Sequence, residues 1–108
     1  MVPIVFAMDG DRIVTAVDRK PKRTSALQRL ANIDVDPRVS LLADRYDEDW
    51  RELWWARADG IARRAATGAE RERAIAALIA RYRPYATEPP PGPVLIVEVT
   101  SWRGWSST

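Results

Sequence analysis

The sequence predicts a small, mainly β protein in which six short antiparallel strands form a barrel and two helices pack against it. Short β-branched runs separated by turn residues recur along the chain. Most connections between these runs are too short for the crossovers that parallel strands require. The 108 residues, 46% of them hydrophobic, suit one domain over residues 1–108 with a single modest core.

The chain is predicted to begin with a β-hairpin and to continue into a helix. Residues 2–7 and 12–17 form the two strands of the hairpin, because Asp9 and Gly10 between them are typical of a tight turn. Residues 24–33 have the apolar periodicity of a short amphipathic helix. This arrangement places the start of the helix shortly after the end of the second strand.

A third strand and an exposed loop are predicted next. Asp36 and Pro37 end the helix, and the apolar side chains of residues 38–44 suit a well-buried strand. Residues 45–50 are acidic and aromatic, so we expect a turn that lies in solvent.

The central part of the chain predicts a long strand followed by a clear helix. Residues 51–65 form a single long or bent strand, in which Asp59 and Gly60 permit a kink or a bulge. Thr67 and Glu70 have the spacing of a capping box, which opens the helix. The chain then has six predicted strands in total, if this long strand counts as two.

The last part of the chain predicts a stiff connection and a final strand. Pro84 ends the preceding helix, and the proline-rich residues 88–93 cannot donate the hydrogen bonds of a sheet. Residues 94–99 form the final strand, and Trp102 and Trp105 belong to a tail behind it that serves as an interface or a lid.

The composition excludes several classes of function. The chain contains no cysteine and no histidine, which rules out disulfides, thiolate nucleophiles, Ser-His-Asp catalysis and the common zinc and haem ligand sets. The net charge is only +2, so a nucleic acid partner is not expected. No leader or membrane-spanning stretch is evident, and we expect no membrane partner and a cytoplasmic location.

A basic segment between the second strand and the first helix is the strongest functional signal. Arg19, Lys20, Lys22 and Arg23 lie in five consecutive positions, and Thr24 follows them at the start of the helix. A helix N-terminus has unpaired N–H groups and a positive dipole end, so cations beside it favour a phosphate or phosphodiester. The alternative is a solvated basic turn with no ligand.

Three motifs indicate a family resemblance, namely DRKPKRT at residues 18–24, NIDVDPRVSLL at residues 32–42 and DWRELWWARADG at residues 49–60. With them the chain resembles the flavin and deazaflavin oxidoreductases of the pyridoxamine 5′-phosphate oxidase-like group, and within it the actinobacterial branch that uses coenzyme F-420. This resemblance implies an antiparallel split β-barrel of the FMN-binding type. The helix and strand that usually precede the segment corresponding to Val2 are absent, so the barrel is expected to be shortened at its N-terminus.

The resemblance also implies a homodimer, with the cofactor held between the two subunits. It assigns the phosphate end of the cofactor to Lys20, Lys22, Arg23 and Thr24. It places the ring of the cofactor against the preceding strand, near residues 14–16, which are Val14, Thr15 and Ala16. The implied cofactor is coenzyme F-420, with FMN as the alternative, and a non-catalytic cofactor carrier is the rival from another class.

Two tryptophan pairs and one acidic group complete the list of candidates. Trp54 and Trp55 are adjacent, so on a strand they face opposite sides, and we expect one in the core and the other, Trp55, on the ligand or the partner chain. The C-terminal Trp102 and Trp105 are predicted to shield the cofactor or to contact the second subunit. The acidic group of residues 44–49 lacks the spacing of a calcium loop, and we expect no metal site there.

Overall fold

The computed structural model describes residues 4–16, 30–90 and 92–107. In these residues five strands form one antiparallel sheet with the order β1-β2-β5-β4-β3. The strands are β1 (Ala7–Asp9), β2 (Arg12–Ala16), β3 (Arg38–Arg45), β4 (Trp54–Ala65) and β5 (Val94–Ser106). The helices are α1 (residues 30–35), α2 (Ala69–Arg81) and α3 (Pro84–Thr87), with a 3-10 helix at Trp50–Glu52. The predicted class, mainly β and antiparallel, is confirmed.

The predicted hairpin is present, with a shorter first strand than expected. Gly10, in the two-residue loop, has a φ of 61°, which glycine adopts without strain. The first strand begins at Ala7, and the described residues 4–6 before it lie outside any strand. Side-chain hydrogen bonds connect residues 5 and 6 to the rest of the protein. The Thr15 hydroxyl donates to the Val5 carbonyl at 2.6 Å, and the Tyr82 hydroxyl donates to the Phe6 carbonyl at 3.0 Å.

The third strand differs from the prediction because it lies at an edge of the sheet. β3 pairs with β4 alone among the described strands, and its side chains alternate between half-buried and exposed. Leu42 is 59% exposed, so the prediction of a well-buried strand is wrong. The apolar run could not reveal this, since burial depends on which strands flank it. The acidic turn after β3 is exposed as predicted, with Trp50 at 75%.

The long central strand is confirmed in part as one element with an irregularity near its middle, since it begins at Trp54 and residues 51 and 52 lie in the 3-10 helix. β4 contains 12 residues, and its register with β5 shifts between Asp59 and Gly60. The sheet passes very close to Gly60, because a Cβ atom there would lie 2.8 Å from Val97 Cγ1 and would collide with the Glu98 carbonyl oxygen. Gly60 is therefore needed for this close approach of β4 and β5.

The sheet has a core on each face. On the first face, α2 packs its buried Ala74 and Leu78 against strand residues from β1, β2 and β5, which are Ala7, Val14, Ala16, Val94 and Ile96. On the opposite face, Ile33 of α1 and Phe6 pack against Ile13, Ala58, Ala62 and Val97. The β2–β5 half of the sheet is thus covered on both sides by the chain itself.

The predicted capping box at the start of α2 is wrong. Gly68, with a φ of 93°, is the N-cap residue, and no side chain caps the helix. The carboxylate of Glu70 instead accepts hydrogen bonds from two arginines of the sheet, from Arg12 at 2.8 Å and from Arg63. Glu70 therefore ties the first turn of α2 to β2 and β4, a tertiary contact that local spacing does not predict.

The end of α2 and the proline-rich connection agree with the prediction in part. α2 ends at Arg81, and Pro84 begins the short helix α3 as its first residue. Arg71 of α2 donates to the carbonyl oxygens of Pro90 at 2.9 Å and of Gly92 at 3.1 Å, which holds the connection against the helix. The final strand is more than twice as long as the predicted residues 94–99, since β5 has 13 residues and continues to Ser106.

Candidate functional site

The predicted phosphate-binding residues fall outside the part of the chain that the structure describes. Lys20, Lys22, Arg23 and Thr24 all lie between Ala16, the last residue of β2, and Leu30, the first described residue of α1. Their role therefore stays a prediction.

The three predicted ring-contacting residues lie together on β2 and are all buried. Val14 is 0%, Thr15 6% and Ala16 8% exposed. Val14 and Ala16 belong to the core under α2, and the Thr15 hydroxyl is bonded to the Val5 carbonyl. Because these side chains are packed in the core or hydrogen-bonded within the chain, any contribution to cofactor binding would come from the backbone or from the position of the strand. Their assignment stays a prediction.

The sheet extends beyond its core as an exposed arm, which we define as Ser40–Arg45 of β3, Trp54–Asp59 of β4 and Ser101–Ser106 of β5. The four tryptophans of the arm are all exposed by 39 to 57%, namely Trp54, Trp55, Trp102 and Trp105. The prediction that Trp54 or Trp55 belongs to the core is therefore wrong. The physical reason is that both residues lie in the part of β4 that extends beyond the two core clusters, neither of which includes Trp54 or Trp55.

Strand pairing sorts the arm into two faces, since residues directly opposite each other in an antiparallel pair point to the same side. Trp55 pairs with Trp105 and Arg57 with Arg103 on one side, which we call the charged face. Trp102 pairs with Ala58 on the other side, the apolar face. The three predicted site tryptophans are thus divided, with Trp55 and Trp105 together and Trp102 opposite them.

The C-terminal tryptophans do not form a tail behind the final strand. Residues 102–105 are part of β5 and are hydrogen-bonded in register to β4. Gly104 lies within β5, where a Cβ atom would be 3.2 Å from the Trp55 carbonyl oxygen. A mobile lid formed by this segment would require the breaking of its ladder with β4.

Hydrogen bonds organise the middle of the charged face around one carboxylate. Asp59 accepts hydrogen bonds from the Ser40 hydroxyl and from Arg57 Nε, the latter at 2.9 Å. The Thr100 hydroxyl donates to the Asp59 backbone carbonyl at 3.0 Å, at the point where the register shifts. Arg57 is therefore matched by a carboxylate on the same face.

The Ser40 and Arg57 hydrogen bonds hold the pKa of Asp59 below its usual value, and the nearby charges of Arg57 and Arg103 act in the same direction. Similarly, Arg38 lowers the pKa of Asp36 from 3.8 to about 2. Asp59 is thus ionised at neutral pH and can only accept hydrogen bonds.

These lowered pKa values predict a loss of stability in acid. A carboxyl group with a lower pKa in the folded state stabilises the fold above its unfolded pKa, and this contribution disappears as the pH falls through the folded pKa. We therefore expect the melting temperature to fall as the pH decreases below about 4, with the Asp36 contribution lost near pH 2. Thermal unfolding followed by circular dichroism at several pH values measures this, and the Asp59→Asn variant should show a weaker fall. An equal slope in that variant would contradict the role of Asp59.

A shallow depression of about 350 Å³ adjoins the charged face. Its lining comes from β3, β4 and the shifted part of β5, and consists of Arg38, Val39, Ser40, Asp59, Gly60, Ile61 and Thr100. This volume lies within the range of small-molecule sites. Ser40 and Asp59 of this lining lie on the charged face, and their hydrogen bonds to Arg57 connect the depression to that face.

The apolar face has a different character. A row of small side chains, Ala43, Ala56 and Gly104, crosses all three strands of the arm, because these residues pair in register. Trp102 and Leu41 pair with Ala58 on one side of the row, and Trp54 pairs with Arg45 on the other. The result is an exposed apolar surface on a chain of 12.2 kDa.

The acidic residues after β3 bond to their own neighbours. Asp47 accepts from the Asp49 backbone N–H at 2.9 Å, and Asp49 accepts from Arg51 Nε at 3.1 Å and the Arg51 backbone N–H at 3.1 Å. Within residues 4–16, 30–90 and 92–107, no group of three or more acidic side chains is close enough to hold a metal ion.

Sequence reasoning did not identify Ser40, Arg57 or Arg103 as site residues. The signal that could have found two of them is the alternation of side chains along a strand, which places Arg57 beside Trp55 and Arg103 beside Trp105. That signal was missed because the last strand was predicted to end at residue 99, before Arg103. Ser40 was not recognisable, since only the register of β3 with β4 brings it to Asp59.

Comparison with known proteins decides the family. The family model described as pyridoxamine 5′-phosphate oxidase matches residues 1–106. The chain belongs to this family. Its members bind flavins such as FMN and are generally oxidoreductases, so the chain has a flavin-binding, oxidoreductase-type fold. The predicted split-barrel class is confirmed.

One solved structure supports the same fold. The conserved hypothetical protein Rv2991 from Mycobacterium tuberculosis matches with a TM-score of 0.68 and 18% sequence identity. The match covers 96% of this chain and 66% of the length of that protein. A search of curated proteins returned no match. In the part of the chain that the structure describes, none of the helices has the length and apolarity needed to cross a bilayer.

Proposed function

We propose that this chain binds coenzyme F-420 and transfers a hydride between the deazaflavin and a small unsaturated or oxidised organic substrate. The observation that carries this proposal is the run of four cations and a threonine at residues 19–24, in a chain of a flavin-binding family. The run follows β2, which is anchored in the middle of the sheet between β1 and β5. If the helix starts at Thr24 as predicted, its N–H groups and the four cations would support a phosphate.

The charge of the run favours F-420 over FMN within this proposal. Lys20, Lys22 and Arg23 provide three cations close to Thr24, and charge-assisted hydrogen bonds to anions are about twice as strong as neutral ones. The tail of the deazaflavin carries more negative charge than that of FMN, so a multiply basic segment suits it better. FMN remains the second candidate, because the family binds flavins of this type.

The residue types present in the chain are compatible with such a cofactor. When bound, the deazaflavin supplies the hydride chemistry, and the chain supplies binding, orientation and exclusion of water. The sequence has no histidine and no cysteine, so no imidazole or thiol can relay a proton. The rival function is a chain that binds or carries the cofactor without catalysis.

Separate titrations with F-420 and with FMN test the proposal. We expect saturable binding of F-420, measured through the cofactor's absorbance and fluorescence, with lower affinity for FMN. Reduced F-420 should then be oxidised in the presence of a generic electron acceptor, at a rate above that of the cofactor alone. Binding without turnover would support a non-catalytic carrier. Tighter binding of FMN than of F-420 would make FMN the cofactor. Failure to bind either cofactor would overturn the proposal.

We further propose a homodimer that buries the apolar face of the arm. Trp54 and Trp102 flank a row of small residues there, and a flat apolar surface of this kind suits a second copy of the same sheet. The charged face would remain available to ligands. In this arrangement Trp102 contacts the partner subunit, whereas Trp55 and Trp105 are available to contact a ligand.

The Trp102→Ala variant tests this interface. We expect light scattering of the wild-type chain at low micromolar concentration to give twice the 12.2 kDa chain mass. Because a buried tryptophan is a frequent hot spot, the variant should dissociate at a concentration at least about tenfold higher. Trp50→Ala is the matched control, since Trp50 lies in the 3-10 helix outside the arm and is 75% exposed. A monomeric wild-type chain, or equal effects of the two variants, would refute the interface.

A further inference from the structure

The charged face of the arm combines aromatic rings and guanidinium groups in a fixed two-by-two arrangement. Trp55 lies opposite Trp105 on neighbouring strands, and Arg57 lies opposite Arg103 in the next row on the same face. Cross-strand partners have Cβ atoms about 4.5–5.5 Å apart, so the four side chains form one compact patch. Trp55 is 39% and Trp105 50% exposed.

The two arginines differ in their partners. Arg57 forms an ion pair with Asp59 at 2.9 Å and a hydrogen bond to the Ser40 hydroxyl at 3.4 Å. The guanidinium of Arg103 makes no hydrogen bond and no ion pair with any described residue, and it acts on Asp59 through its charge. One positive charge of the patch is therefore matched on the sheet, and the other is available to an anion.

The aromatic residues are equally available. Among the described residues, no ring contact joins Trp55 or Trp105 to another aromatic side chain or to a cation. Indole rings bind planar conjugated molecules through apolar contact and stacking, and a guanidinium binds a carboxylate through two parallel hydrogen bonds. The patch thus has the two groups that recognise a planar molecule with a negative charge at its edge.

We propose that the charged face, together with the adjoining 350 Å³ depression, binds a planar, conjugated organic carboxylate. Arg103 holds the carboxylate, and Trp55 and Trp105 contact the conjugated part. The far end of the molecule reaches the depression, where Ser40 and the ionised Asp59 accept a hydrogen bond from a hydroxyl or amino group. The inference deepens the proposed function by naming a substrate class, and rests on it only in treating the bound acid as the substrate.

The local charges favour a monoanion over a phosphate dianion. Only Arg103 lacks a matching carboxylate on this face, and Asp59 lies within reach of the same ligand. Asp44 is on the same face as well, since it pairs with Trp55 from the edge strand β3. Two carboxylates near a single unmatched guanidinium disfavour a second negative charge on the ligand.

Calorimetric titration of the full chain, without F-420, tests the site with defined probes. The probes are naphthalene-2-carboxylate, its neutral amide and naphthyl phosphate. We expect the carboxylate to bind at least about tenfold more tightly than the amide, because only the carboxylate forms charge-assisted hydrogen bonds. The phosphate should bind no more tightly than the carboxylate. A phosphate that binds more tightly would overturn the choice of a monoanion, and an absence of carboxylate binding would overturn the site.

Three variants identify the residue that holds the carboxylate. Arg103→Gln should weaken carboxylate binding about tenfold and leave amide binding unchanged, whereas Arg103→Lys should keep part of the affinity. Arg64→Gln is the control, because Arg64 pairs with Asp34 and lies at the other end of β4. Equal losses for both probes, or an equal effect of the control, would refute the role of Arg103. Melting temperatures show whether each variant is folded.

The result is independent of the cofactor proposal. Carboxylate binding that depends on Arg103, in a chain that binds neither F-420 nor FMN, would keep this site and reject the proposed function. F-420 turnover by a chain whose Arg103→Gln variant binds the carboxylate normally would keep the function and reject the site.

Discussion

Replacing Lys22 and Arg23 together by alanine should weaken F-420 binding by about two orders of magnitude or more. Each lost charge-assisted contact contributes about 1.5–3 kcal/mol, and the two together about 3–6 kcal/mol if they act independently. Both residues lie in the basic segment that follows β2. Fluorescence titration of the wild-type chain and the double variant, at low and at high salt, measures the loss, and salt should reduce the difference between the two proteins.

A second double variant separates a local phosphate site from a general effect of charge. Arg51→Ala combined with Arg83→Ala also removes two positive charges, but from exposed positions outside the basic segment. We expect nearly wild-type affinity for F-420 in this control. If both double variants bind F-420 equally, or if the Lys22 and Arg23 variant keeps its affinity for F-420 and for FMN, the phosphate assignment is incorrect.

Gly60→Ala should lower the free energy of unfolding by on the order of 3 kcal/mol, near the upper end of the usual cost of overpacking. The added methyl group would collide with the Glu98 carbonyl oxygen and approach Val97 Cγ1 to 2.8 Å. One of these contacts is backbone in the central strand β5, so relief requires a shift of the β4–β5 pairing. A loss of this size corresponds to a fall in melting temperature of roughly 10–20 °C for a domain of this length.

The matched control for this variant is Gly92→Ala. A Cβ atom at Gly92 would meet no atom within 4 Å, and the residue lies in the connection before β5. We expect its melting temperature to stay within a few degrees of the wild-type value, since the substitution also reduces the freedom of the unfolded chain. Equal melting temperatures for Gly60→Ala and the wild type would contradict the close approach of the two strands.

The family resemblance and the local patterns predicted most of the elements. The Asp9 and Gly10 signal gave the correct hairpin position, and the mainly β, antiparallel class followed from short apolar runs with short connections. The irregularity expected at Asp59 and Gly60 is present as a register shift, although the extra residue is Thr100 of β5, because Asp59 pairs with Ser101 and Gly60 with Val99. These features depend on backbone preferences of neighbouring residues, which the chain carries in any context.

Other predictions failed where the outcome depended on distant partners. Glu70 was expected to cap its own helix and instead binds Arg12, which is 58 positions away. The strand at residues 38–44 was expected in the interior, but β3 has one described neighbour in the sheet. The predicted final strand stops at residue 99, too early, because residues 101–106 are in the strand through their pairing with β4, which is distant in sequence.

The sequence by itself determined the strand and helix pattern, the exclusion of thiol and imidazole chemistry, and the concentration of cations after β2. Only the tertiary structure decided which side chains share a surface. It separated Trp102 from Trp55 and Trp105, and it brought Arg103 beside Arg57 across two strands. The physical reason is that sheet register and strand order assign each side chain to a face, and both are set by the packing of the whole chain.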